Sequence, residues 1–176
     1  MRTEFTIPSN GAGQLHCCRW TPEGQPKAVL QIVHGIAEYI ERYDEFASYL
    51  NGLGYLVVAE DHMGHGGTVG DQGTQGYFDG GWFTAVSDSY SLLQKTKAEN
   101  PDIPYVLFGH SMGSFMARTI LQVYPDSGIT AAGSRTDGYE IDGTALTITD
   151  AGTYTLSGVC ADGSVTVKKG TEGVTL

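Results

Sequence analysis

A serine flanked by two glycines carries the clearest chemical signal in this 176-residue chain. Gly109, Ser111 and Gly113 form the pattern G-x-S-x-G within the stretch VLFGHSMGS. This pattern is typical of a nucleophilic serine on a sharp turn between a strand and a helix, because the flanking glycines let the backbone turn tightly. The chemistry that it predicts is covalent catalysis, in which the serine hydroxyl attacks an electrophilic carbon.

A second stretch, HGI, supplies other groups that such a serine needs. It follows the apolar run AVLQIV, and the loop after a buried strand can direct backbone N–H groups at the oxygen of a reacting carbonyl. We therefore expect the N–H groups of Ile36 and Met112 to form an oxyanion hole. His34 and His110 are interpreted as support for the two turns, and Gly35 as the residue that lets the backbone approach the reacting oxygen.

The segments that must position these residues alternate between strand-like and helix-like patterns. The apolar runs AVLQIV, LVVA and YVLF predict buried strands, and EFTIPS and LHCCRW predict two short earlier strands. Helices are predicted for ERYDEFASYLNGL, WFTAVSDSYSLLQKTKAEN and MGSFMARTILQVYP. This alternation favours a mostly parallel sheet with helices on both faces. Residues 1–132 are therefore predicted to form an α/β domain.

The character of the sequence changes after Ala132. Residues 133–176 contain nine threonines, as many as the preceding 132 residues, and no histidine, phenylalanine, tryptophan or methionine. Short alternating segments are separated by turns rich in glycine and aspartate, which predicts an all-β structure. We therefore expect two domains, a partial α/β domain at 1–132 and a Gly/Thr-rich β segment at 133–176 that is incomplete.

Three blocks within residues 26–132 carry a family resemblance: H-G-x-x-E-x-x-x-R-Y, D-H-x-G-H-G and G-H-S-M-G. They resemble the α/β-hydrolase family of monoacylglycerol lipases, lysophospholipases and serine aminopeptidase-like hydrolases. The resemblance implies the N-terminal half of an α/β-hydrolase fold, with Ser111 as the nucleophile and the N–H groups of Ile36 and Met112 as the oxyanion hole. It also implies hydrolysis of a small acyl ester or lipid, without a metal or organic cofactor.

The histidines are poorly placed for this mechanism. A serine hydroxyl needs a base to accept its proton, and in α/β-hydrolases the acidic residue and the histidine follow the serine along the chain. All the histidines of this chain precede Ser111, namely His16, His34, His62, His65 and His110. The later carboxylates lie in turn-like segments. We therefore expect this chain to be inactive by itself, with no identifiable triad acid or base.

Two other interpretations stay open from the sequence. Residues 140–176 resemble the repeats of β-solenoid carbohydrate-binding domains, which implies a polysaccharide partner for that segment and a vestigial hydrolase segment before it. Alternatively, the chain is a non-catalytic, chimeric fragment that joins two unrelated pieces.

Composition narrows the class of protein. Twenty acidic and ten basic residues give a formal net charge of −10, which disfavours nucleic acid as a partner. We find neither an apolar run of the ~20 residues that span a bilayer nor a pattern typical of a secretory signal. Three cysteines without a C-x-x-C pair disfavour structural zinc and favour a reducing, cytoplasmic setting. Asp61, His62 and His65 are interpreted as loop structure, so no metal site is expected.

Overall fold

The computed structural model describes residues 1–69 and 75–129 with their side chains, and the backbone of five short strands between residues 139 and 175. The chain divides into two compact units, Met1–Ile129 and Thr130–Leu176. The residues predicted to do chemistry all lie in the first unit.

Within its described residues, the first unit contains five strands and three α-helices. The strands are β1 (Arg2–Pro8), β2 (Gln14–Trp20), β3 (Val29–Val33), β4 (Leu56–Glu60) and β5 (Tyr105–Gly109). The helices are α1 (Asp44–Gly52), α2 (Trp82–Glu99) and α3 (Met112–Val123), with 3-10 turns at Ile40–Tyr43, Gly66–Thr68 and Pro125–Ser127. Each predicted strand and helix of this unit is present. Of the helices described, none has the length and apolar character needed to cross a membrane.

The five strands form one mixed sheet in the order β1-β2-β4-β3-β5. The β1–β2 and β2–β4 pairs are antiparallel, whereas β4, β3 and β5 run parallel. The α/β prediction is confirmed, and the early strands add an antiparallel hairpin to the three parallel strands. Because Val33 pairs with Gly109, β3 and β5 end side by side. The loop after β3 and the turn after β5 therefore meet at the carboxyl edge of the sheet.

Helices cover both faces of the sheet. On one face, Ala47 of α1 packs into a cluster of buried residues with Ile32 of β3. On the other face, α2 and α3 bury Val86, Leu93 and Met116. Val86 and Leu93 of α2 therefore face the core.

Strand β5 and helix α1 are less covered than their apolar sequences predict. Val106 and Phe108 of β5 are 45% and 37% exposed, although the run YVLF predicts a buried strand. Phe46 and Tyr49 of α1 are exposed as well, and so is Leu53 directly after it. Phe46 and Phe108 pack against each other, with ring centroids 5.4 Å apart. Strand β5 is exposed because it lies at the edge of the sheet. No strand of the first unit, as described, pairs with its outer side.

In the second unit, the described backbone consists of short paired strands. Tyr139–Asp142 pairs antiparallel with Ala145–Ile148, which pairs parallel with Ser164–Val167. Gly152–Thr153 pairs parallel with Val174–Thr175. The other residues of 133–176 lie outside the described part of the chain. The boundary after residue 132, the all-β character of the whole segment and its polysaccharide partner therefore stay predictions.

Candidate active site

Ser111 occupies a sharp turn between β5 and α3. Its backbone has φ 52° and ψ −121°, a left-handed conformation that L-residues other than glycine rarely adopt. Holding a side-chain-bearing residue there costs about 1–3 kcal/mol, so the surrounding packing has to impose it. The residue is exposed, and it immediately precedes the first turn of α3, where the helix dipole is positive. The turn therefore presents a hydroxyl to solvent in an electropositive setting.

The two flanking glycines are required by close backbone contacts. A Cβ atom at Gly113 would overlap the carbonyl oxygen of Val33. A Cβ atom at Gly109 would overlap the carbonyl group of Gly113. The first turn of α3 therefore packs directly on the end of β3, and any larger residue would push the helix away from the strand.

The loop after β3 contacts the same turn through Gly35. A Cβ atom at Gly35 would lie 3.0 Å from the Cβ of Ser111 and 3.2 Å from the carbonyl oxygen of His110. The N–H groups of Ile36 and Met112 have no hydrogen-bond partner among the described residues. Ile36 follows Gly35 and Met112 follows Ser111 in the sequence, so each free donor belongs to a residue next to this close approach. Such an arrangement can stabilise negative charge on a carbonyl oxygen.

His34 holds this loop from below as a neutral ring. Its Nδ1 lies 2.7 Å from the carbonyl oxygen of Gly35, and its Nε2 lies 3.1 Å from the backbone nitrogen of His62. Nε2 therefore accepts from the His62 N–H, and Nδ1 donates to Gly35. Burial, reinforced by the nearby His62 ring, lowers the pKa of His34 to about 2. His34 thus acts as a fixed brace for the backbone.

Glu38 is a site residue to which the sequence interpretation gave no role. Its Oε2 lies 2.7 Å from the backbone nitrogen of Gly35, 2.8 Å from the Tyr43 hydroxyl and 2.9 Å from Nδ1 of His110. One carboxylate therefore joins the loop after β3 to the residue before Ser111. Burial alone would raise the pKa of Glu38, but the hydrogen bonds from His110, Tyr43 and Gly35 outweigh it and lower the pKa.

Asp61 ties the loop after β4 to its neighbours. Its carboxylate accepts hydrogen bonds from the backbone N–H groups of Ile40 and Gly67, each at 2.8 Å, and its Oδ2 lies 2.8 Å from Nδ1 of His16. The side chain is fully buried. These contacts agree with the interpretation of Asp61 as loop structure.

The histidines are engaged away from the serine. His62 Nε2 lies 3.0 Å from the carbonyl oxygen of His34, and His65 Nδ1 lies 3.0 Å from that of Met63. His16 and His110 contact carboxylates, as described above. Among the described residues, no side chain hydrogen-bonds the Ser111 hydroxyl. In the described part of the chain, the structure therefore brings the serine turn and the loop after β3 together, and no histidine hydrogen-bonds the serine hydroxyl.

Residues 24–136 match a protein-family model described as Hydrolase_4: Serine aminopeptidase, S33. The chain belongs to this family. Among curated relatives, the chain is 41% identical to a monoglyceride lipase of Mus musculus over 59% of this chain and 33% of that protein. It is 38% identical to a monoglyceride lipase of Homo sapiens over 61% of this chain and 35% of that protein.

Solved structures of an esterase and a lipase share the fold. A highly thermostable carboxyl esterase from Bacillus coagulans, solved in complex with glycerol, superposes with a TM-score of 0.66 at 34% identity, covering 72% of this chain and 41% of that one. A soluble variant of monoglyceride lipase from Saccharomyces cerevisiae gives a TM-score of 0.60 at 21% identity, over 68% of this chain and 38% of that one. The chain spans about a third of the length of the curated relatives that it matches.

Proposed function

We propose that the chain carries the nucleophile and the oxyanion hole of a serine hydrolase that acts on carboxylic esters of lipid-like alcohols. The observation that supports this proposal is the close approach of Gly35 to Ser111, since a Cβ atom at Gly35 would lie 3.0 Å from the Cβ of Ser111. Ile36 and Met112 follow these two residues in the sequence, and their N–H groups are proposed as the oxyanion hole. The substrate class rests on the monoglyceride lipases and the carboxyl esterase that the chain resembles.

In this mechanism the oxygen of Ser111 attacks the ester carbonyl carbon. The carbonyl π electrons move to the carbonyl oxygen, and the N–H groups of Ile36 and Met112 stabilise the resulting oxyanion. Collapse of this tetrahedral intermediate expels the alcohol and leaves an acyl-serine, which water then hydrolyses. The proton of Ser111 has to leave during attack, and the departing alcohol has to gain one.

We propose that proton transfer limits the rate in this chain. All five histidines precede Ser111 in the sequence. In the described structure, their rings form hydrogen bonds with groups other than the Ser111 hydroxyl. Without a base, an oxyanion hole and substrate binding retain roughly 10³–10⁴-fold catalysis over water in serine proteases. The chain is therefore expected to react once with activated acyl or phosphonyl groups and to turn over esters very slowly.

A fluorophosphonate probe tests the nucleophile. The wild-type chain should label slowly and in one-to-one stoichiometry, and the Ser111→Ala variant should not label. Ser114→Ala is a matched control, because Ser114 is a serine in the first turn of α3. Its hydroxyl donates to the Ser111 carbonyl oxygen at 2.7 Å. Labelling that persists in Ser111→Ala, or no labelling of folded wild-type chain after prolonged exposure, would refute the assignment.

Added imidazole tests the missing base. Imidazole in solution should speed turnover of a p-nitrophenyl ester by the wild-type chain beyond its background reaction with the ester. The same addition should give only the background rate with Ser111→Ala. An unassisted turnover rate typical of complete serine hydrolases would contradict the proposed inactivity while leaving the nucleophile assignment intact.

A further inference from the structure

A second group of reactive side chains lies on the hairpin formed by β1 and β2. Glu4 pairs directly with Cys18 across the hairpin, and His16 lies two residues before Cys18 on the same face of β2. One ligand atom from each of the three residues lies within 4.8 Å of the others. The carboxylate, imidazole and thiol therefore lie close together on one face of the sheet, where Glu4 is exposed and Cys18 is fully buried.

The imidazole is oriented as in a metal-binding histidine. His16 Nδ1 lies 2.8 Å from Oδ2 of the fully buried Asp61, so this nitrogen carries the proton and donates it to the carboxylate. His16 Nε2 then keeps its lone pair and lies 3.6 Å from Oε2 of Glu4. Metal-binding histidines usually donate their other ring N–H to a carboxylate or carbonyl in this way.

We propose that Glu4, His16 and Cys18 bind a zinc ion, with water completing a tetrahedral shell. Zinc accepts this combination of carboxylate oxygen, imidazole nitrogen and thiolate sulfur. Tetrahedral zinc holds its ligand atoms about 3.5 Å apart, a separation that Glu4 and His16 already have. The sulfur of Cys18 lies within 4.8 Å of the other two ligand atoms, so zinc binding requires the thiolate to move toward them. Binding forms a zinc–sulfur bond and releases the Cys18 thiol proton to the buffer.

The cysteine spacing could not indicate this site. Zinc motifs are read from closely spaced cysteines and histidines along the chain, whereas Glu4 and Cys18 come together through the register of the hairpin. Cys17 takes no part, since it packs with Leu15 on the opposite face of the sheet.

Arg2 competes with the metal for two of these ligands. Its guanidinium lies 3.0 Å from the Glu4 carboxylate and 3.2 Å from the Cys18 sulfur. It also pairs with Asp44 at 3.2 Å and Glu41 at 3.5 Å, so these two carboxylates can hold it once zinc is bound. The side chain is 33% exposed, which gives it room to move. Zinc affinity therefore depends on the charge at position 2 as well as on the three ligands.

Cobalt titration of the full, untagged chain tests the site. Co²⁺ should bind at one ion per chain with a thiolate-to-cobalt charge-transfer band and the visible bands of a tetrahedral ion, and added Zn²⁺ should abolish both. Cys18→Ala should remove the charge-transfer band, and Cys17→Ala, the matched control, should retain it. A wild-type chain without this band at saturating Co²⁺, or a band that survives Cys18→Ala, would overturn the proposal.

Variants of exposed residues test the site without disturbing the core. Glu4→Gln should weaken zinc binding about tenfold, in the range usual for the loss of an interaction at a metal site. Arg2→Gln should strengthen it several-fold, because a competing positive charge is removed. If the cluster only stabilised the fold, the two variants would not change zinc affinity in opposite directions. Unchanged zinc affinity in both variants would overturn the proposal even if Cys18→Ala fails to fold.

Discussion

The two edges of the five-stranded sheet are built differently. The β1 edge carries charged side chains, and its contacts are ion pairs such as that between Arg2 and Glu4. The β5 edge carries the exposed apolar residues Val106 and Phe108 and ends in the serine turn. The contacts at the β5 edge are close backbone approaches, as at Gly113, and hydrogen bonds of buried neutral side chains such as His34. Natural sheet edges are usually protected by charge, as the β1 edge is.

This difference indicates how each edge responds to change. Exposed ion pairs contribute little to stability, because water screens them and long side chains lose freedom in forming them. Substitutions at the serine turn should cost much more stability, because the packed backbone atoms there cannot move independently. The following predictions test that contrast.

The largest effect is expected at the contact between α3 and β3. Gly113→Ala puts a methyl group onto the carbonyl oxygen of Val33, which should reduce the free energy of unfolding by about 4 kcal/mol and abolish fluorophosphonate labelling. Urea unfolding followed by circular dichroism measures the first effect. Gly52→Ala is the control, because nothing lies within 4 Å of a Cβ at that position of α1. A loss below about 1 kcal/mol in Gly113→Ala would contradict the close packing.

Removal of the Glu38 carboxylate should have the next largest effect. Glu38→Ala leaves the Gly35 N–H, the Tyr43 hydroxyl and His110 without their shared acceptor, and should cost about 3 kcal/mol. It should also slow fluorophosphonate labelling more than the stability loss explains, because the loop before Ile36 loses its anchor. Labelling rates of folded protein measure this. A labelling rate equal to wild type would show that Glu38 only stabilises the fold.

Lowering the pH should reduce the free energy of unfolding through His34, which lies on the serine-turn side of the sheet. Its pKa is about 2 in the folded chain and ~6.5 when unfolded, so between these values the unfolded state binds the additional proton. Stability from the neutral ring is thus present above pH ~6.5 and falls as the pH drops. Going from pH 7 to pH 5 should cost about 2 kcal/mol. The lowered pKa of His65, which burial also causes, acts in the same direction.

The control for this prediction is His34→Gln. That variant should be less stable at pH 7, because it loses the hydrogen bonds to Gly35 and His62, yet its stability should change less between pH 7 and pH 5. Urea midpoints at the two pH values give the comparison. An unchanged pH dependence in the variant would mean that other groups dominate acid unfolding.

Single substitutions by lysine at the two edges should have the smallest effect on stability. They should also show the clearest difference between the edges, in self-association. Val106→Lys on β5 should reduce concentration-dependent self-association in sedimentation velocity, because charge protects an apolar strand edge. Thr3→Lys on β1, where the edge is already charged, should leave association unchanged. Both should change stability by less than about 0.5 kcal/mol. Equal effects on association from the two variants would remove the contrast between the edges.

The elements of the first unit were predictable because apolar periodicity and Gly or Pro breakers define them locally. The G-x-S-x-G turn and the HGI loop were likewise readable from short motifs. The exposure of Val106 was not, because burial of a strand depends on which strands lie beside it. The role of Glu38 was hidden for a related reason: its partner His110 lies 72 residues away in the sequence.

The left-handed backbone of Ser111 bears on the stability of the chain. Glycine adopts that conformation freely, so Ser111→Gly would relieve strain worth about 1 kcal/mol or more. The greater freedom of glycine in the unfolded chain opposes this gain, so the net change in stability measures how strongly the fold imposes the conformation. Under the proposed function, the same strained conformation is what holds the hydroxyl at the surface in front of α3.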